Sequence, residues 1–234
     1  FIALSNSYHG ETLGSLSVSN IDLYKKTYES ILKDTIIVDS PDSYHKKENV
    51  SEEEHAEQMF NKMYKALKDN HRNVCAVIVE PLIQCAGYMR MYHHKYLELL
   101  REACTKFNVH LITDEIAVGF GRTGTMFGFE QAKITPDIIC LSKGITGGYM
   151  TLSTILTTDD IYDAFIPLSS LGVDIAATND AIVTQSVSDL ISESQFQSLI
   201  FAILASMTFL ILYYLIDIRK PFLGVITILP VVAI

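Results

Sequence analysis

The chain has 234 residues, enough for one large domain or two small ones around a buried core. Its formal net charge is −9 and no basic stripe runs along it, which argues against nucleic acid as a partner. Mean hydropathy is +0.24, high for a soluble enzyme, and the excess is uneven: from Pro167 onward only Asp174, Asp180, Asp189, Glu193, Asp217, Arg219 and Lys220 are charged.

The opening FIALSNSYHG has no basic leader followed by an apolar core, which predicts no signal peptide. It also lacks an initiator Met, and the closing ILPVVAI has no stop signal, so a chain cut at both ends is expected. Ser51-Glu52-Glu53-Glu54 has the spacing of a capping box, and Ala56, Met59, Phe60, Met63, Tyr64 and Leu67 follow on one helical face. Val74 to Val79 is a continuous apolar run rich in β-branched residues, as a strand covered on both faces requires, and Glu80-Pro81 ends it. His94 to Phe107 reads as a helix, with His93-His94 at its solvent-side start. Val109 to Thr113 reads as a buried strand ending in Asp114-Glu115. Ile138 to Leu141 is the next, ending in Ser142-Lys143-Gly144, and Leu152 to Leu156 a further one, before the helix start Thr157-Thr158-Asp159-Asp160.

Strands alternating with helices predict an α/β fold with a mostly parallel sheet. Ligands of such sheets gather at the carboxyl ends of the strands, where Glu80, Asp114 and Lys143 all fall. Gly119-Phe120-Gly121-Arg122-Thr123-Gly124 matches the dinucleotide fingerprint by letter. It fails by context: the strand ends several residues earlier, and Thr125 to Glu130, with Gly128 inside, is a poor helix start. A glycine-rich loop beside a site is the better reading. Cys75, Cys85, Cys104 and Cys140 lie in apolar segments without a C-x-x-C pair and read as structural thiols in a reducing compartment; the seven histidines show no metal-ligand spacing.

A lysine at a buried strand end suits Schiff-base chemistry, and pyridoxal phosphate also needs a carboxylate against its ring nitrogen. Lys143 and Asp114 offer the two groups, and Tyr8 an aromatic ring to stack on the cofactor. An aspartate and a lysine at strand ends are common, so this spacing alone leaves the site open.

Four motifs narrow it: Tyr8-His9-Gly10-Glu11-Thr12, Glu80-Pro81-Leu82-Ile83-Gln84, Asp114-Glu115-Ile116 running on to Gly124, and Leu141-Ser142-Lys143-Gly144. In this order they resemble the class III PLP-dependent aminotransferases, and within that class the members of biotin synthesis that aminate 8-amino-7-oxononanoate. The resemblance covers roughly residues 1–165. It implies part of the large domain of a fold-type I PLP-dependent transferase, with helices on both faces of the sheet. Pyridoxal 5′-phosphate would be the cofactor, small-molecule amino donors and keto acceptors the substrates, and a homodimer the intact assembly. By resemblance, Lys143 is the catalytic Schiff-base lysine, Asp114 the partner of the ring nitrogen, and Ile116 the packing on one ring face. Tyr8 stacks on the cofactor and contacts substrate, His9 and Glu80 belong to the cofactor site, and Glu11 and Arg122 face substrate. Glu11 stands where the biotin enzymes carry Asp, and Gln84-Cys85-Ala86-Gly87-Tyr88-Met89 departs from a more glycine-rich family form. The family's phosphate-binding Gly-Ser turn, its substrate-carboxylate arginine and the threonine loop lent by a dimer partner have no counterpart in these motifs. Another class III ω-aminotransferase is the neighbouring reading.

Beyond residue 166 the composition changes. Leu199 to Ile216 is uncharged and apolar, near the length of a bilayer span, and Phe222 to Ile234 begins another after Asp217-Ile218-Arg219-Lys220-Pro221. This part resembles a fragment of an RND-superfamily (MMPL-like) exporter. The expected organisation is a partial aminotransferase domain over 1–166, an extracytoplasmic-type segment over 167–198, a transmembrane helix over 199–216 and the start of a second over 221–234. Arg219 and Lys220 would face the cytoplasm and everything before Leu199 the other side, whereas an aminotransferase works in the cytoplasm. The two halves therefore call for opposite compartments, as a fusion would.

Overall fold

In the computed structural model the described residues are 1–165 together with 200, 203, 204 and 206–208. The chain divides into two compact units, Phe1–Val173 and Asp174–Ile234. The first contains, in order, β1 (Ile2–Leu4), α1 (Leu13–Val18), α2 (Asp22–Lys25), β2 (Ile36–Val38), α3 (Glu52–Asn70), β3 (Ala76–Val79), the short hairpin β4 (Ile83–Gln84) and β5 (Arg90–Met91), α4 (Lys95–Phe107), β6 (His110–Asp114), β7 (Ile138–Leu141), β8 (Thr154–Thr157) and α5 (Asp159–Phe165).

Six strands form one sheet in the order β2-β1-β3-β6-β7-β8. All neighbours run parallel except the edge pair β7–β8. The last strand, expected from its apolar run, is thus the antiparallel edge, with Ile155 exposed. Four strands escaped the periodicity argument: β1 and β2 are three residues each and β4 and β5 two, too short to set a pattern.

Alternation along the strands sorts the core into two faces. Ile2, Leu4, Val77, Val79 and Leu111 point to the side of α3 and α4, while Ala3 and Ile78 pack with Val18 of α1, and Ile112 lies against them. The α3 face is the one expected, with Ala56, Phe60, Met63 and Leu67 buried and Met59 and Tyr64 partly so. Ser51 caps it by accepting the Glu54 N–H at 3.1 Å. Phe60 meets the Tyr96 ring edge-on at 5.5 Å, which locks α3 to α4. Asn108, at φ +55°, ends α4 in the left-handed conformation and turns the chain back into β6. Asp137 then stitches β7 to β6: its carboxylate accepts from Leu111 N–H at 2.6 Å and from Arg101 at 2.8 Å.

Among the cysteines, Cys104 is buried and Cys85 and Cys140 partly so; Cys75 is exposed, because β3 begins only at Ala76. Among the described residues no helix is long and apolar enough to cross a membrane. The expected spans at 199–216 and 221–234, and the segment 167–198, lie outside the described residues apart from Ile200, Ile203, Leu204, Ser206, Met207 and Thr208, which are helical and exposed.

Candidate active site

The parallel register delivers Glu80, Asp114 and Lys143 to one edge of the sheet. Val79 pairs with Thr113, so Glu80 and Asp114 follow on neighbouring strands at the same level. Asp114 itself pairs with Cys140 on β7, three residues before Lys143. The fingerprint-like glycines open no helix: residues 116–127 are turns and bends, followed by a 3₁₀ turn at Gly128–Ala132.

Asp114 is buried and makes two contacts. Its Oδ2 lies 2.8 Å from His9 Nδ1, and its Oδ1 accepts the Ile116 N–H at 3.1 Å. His9 is fixed in turn by its N–H, which donates to Ser19 Oγ at 2.9 Å, while its Nε2 is buried with no partner among the described residues. An unpartnered buried nitrogen beside a buried carboxylate marks a place where polar groups were not traded for apolar ones.

Glu80 is the second acid. Oε1 accepts the Tyr8 N–H at 3.0 Å, Oε2 accepts the Cys85 N–H at 3.1 Å, and its backbone carbonyl accepts the Tyr92 hydroxyl at 2.7 Å. Burial pushes its carboxyl up to about 7; the nearby Asp114 adds to the rise, and the Tyr8 and Cys85 N–H groups and His9 oppose it.

Tyr8 is half-buried, its hydroxyl donates to Glu11 at 3.0 Å, and its ring lies 5.0 Å from that of Tyr24. Lys143 begins a 3₁₀ turn, is exposed and sits at φ +40°, unusual for a lysine. The turn is pinned to the approach to β8 by Ser142 Oγ donating to the Leu152 carbonyl at 2.6 Å and Thr146 Oγ1 to the Met150 carbonyl at 3.0 Å. Arg122 is exposed on the glycine-rich loop.

Burial raises the Cys85 thiol, as do Glu80 and Asp114, against the opposing charges of Lys143 and Arg122. Hydrogen bonds join Tyr8 to Glu80 and Glu11, and Asp114 to His9 and Ile116, and the Tyr8–His9 peptide bond links the two sets; Lys143 and Arg122 are exposed on the turns that follow β7 and β6.

Sequence reasoning passed over Cys85, Tyr24 and above all Glu115. The Glu115 carboxylate is fully buried and accepts from Gly128 N–H and Phe129 N–H, each at 3.0 Å. A clue was present: a second acid directly after a buried strand, next to Asp114.

A family model described as aminotransferase class-III matches residues 1–198, and so takes in the stretch 167–198 that composition had assigned to an extracytoplasmic segment. An adenosylmethionine-8-amino-7-oxononanoate aminotransferase of Helicobacter pylori is 47% identical over 165 residues, which are 70% of this chain and 36% of that protein. The enzyme of the same name from Aquifex aeolicus is 42% identical over 169 residues, 71% of this chain and 37% of its own. The chain thus spans little more than a third of the length of these relatives. Among solved structures, the omega transaminase from Pseudomonas jessenii in complex with PMP superposes with a TM-score of 0.68 at 28% identity, over 76% of this chain and 40% of that one. The chain belongs to the class III aminotransferases.

Proposed function

We propose that this chain is the cofactor-binding portion of a pyridoxal 5′-phosphate-dependent enzyme that moves an amino group from S-adenosylmethionine to 8-amino-7-oxononanoate, giving 7,8-diaminononanoate. The observation that carries the reading is the buried His9–Asp114 pair at the end of β6, next to the strand that leads into Lys143. The names borne by relatives at 42–47% identity support the substrate pair.

The residues fit that cofactor. Asp114 is a buried carboxylate whose oxygens each keep a lone pair beyond the contacts described, and the His9 Nε2 beside it is a buried polar atom without a partner among the described residues, which supports a polar ligand there. When bound, the cofactor supplies an electron sink for the bond broken at the amine-bearing carbon of the substrate. Asp114, oriented by its contacts with His9 Nδ1 and the Ile116 N–H, would hold a proton on the ring nitrogen. Lys143 would bond the cofactor and, once displaced by substrate, use its amine to carry a proton. Tyr8 would lie on one ring face and Ile116 on the other, Glu11 would receive a substrate ammonium through the site of its Tyr8 contact, and Arg122 would line the approach.

Insertion of residues 1–165 into the Helicobacter pylori relative in place of its corresponding stretch tests the reading. Amino transfer from S-adenosylmethionine is expected to survive the exchange. A folded, cofactor-loaded chimera that accepts simple ω-amines but not 8-amino-7-oxononanoate would favour the second reading, an ω-aminotransferase. The ω-transaminase neighbours at 28% identity support that alternative on fold.

For residues 167–234, the exporter likeness, the two spans and a membrane location rest on composition alone. Membrane partition of the full chain, lost on deleting residues 199–234, tests them.

A further inference from the structure

Glu115 is a fully buried carboxylate whose partners among the described residues are two backbone N–H groups and no cation. An unpaired buried acid is expensive, and burial raises its carboxyl above the ordinary range even though Gly128 and Phe129 donate to it. An apolar side chain would fill the space at lower cost, so what the acid does locally matters.

It closes a loop. The chain leaves β6 at Asp114, makes the glycine-rich excursion and returns at Gly128, where Oε2 of Glu115 takes one N–H and Oε1 takes the next. The Glu115 carbonyl also accepts the Gly119 N–H at 2.8 Å, and inside the excursion Gly121 N–H donates to the Met126 carbonyl at 3.1 Å. The closed loop touches both neighbouring strand ends. Gly128 lies so near Pro81, the residue after Glu80, that a Cβ would stand 3.0 Å from the Pro81 Cβ. Phe120, itself at φ +61°, covers Gly144 so closely that a Cβ there would run into its ring, and Gly144 follows Lys143.

We propose that Glu115 is a positioning residue: by clamping Gly128 and Phe129 it fixes the strand ends carrying Glu80, Asp114 and Lys143 relative to one another. The proposal deepens the transaminase reading and rests on it only for its cofactor readout. Glu115→Gln keeps size and shape, offers one carbonyl in place of two acceptor oxygens, and turns an N–H donor toward a backbone N–H.

The test uses the full chain, Glu115→Gln, the charge-preserving but shorter Glu115→Asp, and Glu130→Gln as an exposed control on the same turn. Three readouts are taken under conditions where circular dichroism shows each variant folded. They are amide exchange over residues 116–129, the NMR resonance of the His9 Nδ1–H that points at Asp114, and the pyridoxal phosphate concentration that half-labels Lys143 after borohydride reduction. Losing one charge-assisted hydrogen bond should speed exchange at Gly128 and Phe129 and raise the half-labelling concentration about tenfold. The His9 resonance should move in both Glu115 variants, and Glu130→Gln should change nothing. Faster exchange confined to Gly128 and Phe129, with the His9 resonance and the labelling curve unmoved, would reduce Glu115 to a structural staple and overturn the proposal. If Lys143 of the parent chain takes no label, the cofactor reading fails, and the His9 resonance still decides the role of Glu115.

Discussion

His9 Nδ1 and Asp114 Oδ2 meet at 2.8 Å from positions 105 residues apart, with 1% and 6% of their side chains exposed. The contact joins the turn after β1 to the end of β6 and sets the orientation of the acid that would face the cofactor ring. Replacing Asp114 by Ala leaves His9 buried with both ring nitrogens unpartnered among the described residues. The expected loss is roughly 2–3 kcal/mol of unfolding free energy, read from urea denaturation. Asp114→Asn keeps one acceptor for His9 and should lose about half of that, while weakening cofactor capture as strongly as Asp114→Ala.

Glu80 should give the stability curve a slope. Its carboxyl is raised to about 7 in the folded chain, against an ordinary value near 4.5. Between these two values the folded state holds a proton that the unfolded state has released, so stability falls as pH rises through that window and levels off above it. Burial and the neighbouring Asp114 produce the rise, and the full effect is at most about 3 kcal/mol. Glu80→Gln should make the slope between pH 4.5 and 7 shallower, leaving the part that the buried Glu115 carboxyl, also raised, contributes; urea midpoints at closely spaced pH values would show it. A slope unchanged by the substitution would assign it to other groups.

Gly87 is where the loop after β4 crosses the turn after β1. A Cβ at Gly87 would collide with the Asn6 carbonyl, a backbone atom that cannot swing aside. Gly87→Ala should therefore cost about 1–3 kcal/mol and loosen the two hydrogen bonds that Glu80 makes to Tyr8 and Cys85. Faster amide exchange at Tyr8 and Cys85 is the signature; unchanged exchange there would show that the segments adjust independently.

Ser51→Ala removes the cap of α3, whose side-chain oxygen accepts the Glu54 N–H. A loss of about 1 kcal/mol is expected in thermal or urea unfolding, with no effect on cofactor capture.

Much of this was legible in the sequence, and the reasons are physical. Long periodic segments announced α3 and α4, and β-branched runs announced β3, β6 and β7, because their burial is decided by their own pattern. Strand ends followed from those runs, and with them the places of Glu80, Asp114 and Lys143 along one edge of the sheet. The dinucleotide fingerprint was rejected on context, and residues 116–127 indeed make turns rather than a helix. What pattern could not supply were contacts made between distant segments. β1 and β2 are too short to show alternation, and their place in the sheet is set by the longer strands beside them. The His9–Asp114 bond joins segments with no local relation. Glu115 stood only as the residue after Asp114 at a strand end, because only the returning loop, thirteen residues on, reveals what its oxygens hold.

The central claim is that one lysine among many is set apart by the end of the neighbouring strand. Incubation of the chain with pyridoxal phosphate, borohydride reduction and peptide mapping tests it directly. The account predicts a single pyridoxyl group on the peptide carrying Lys143, absent in Lys143→Ala and needing about tenfold more cofactor in Asp114→Asn. Label spread over exposed lysines such as Lys62, Lys65 and Lys143 alike, and unchanged by Asp114→Asn, would contradict it.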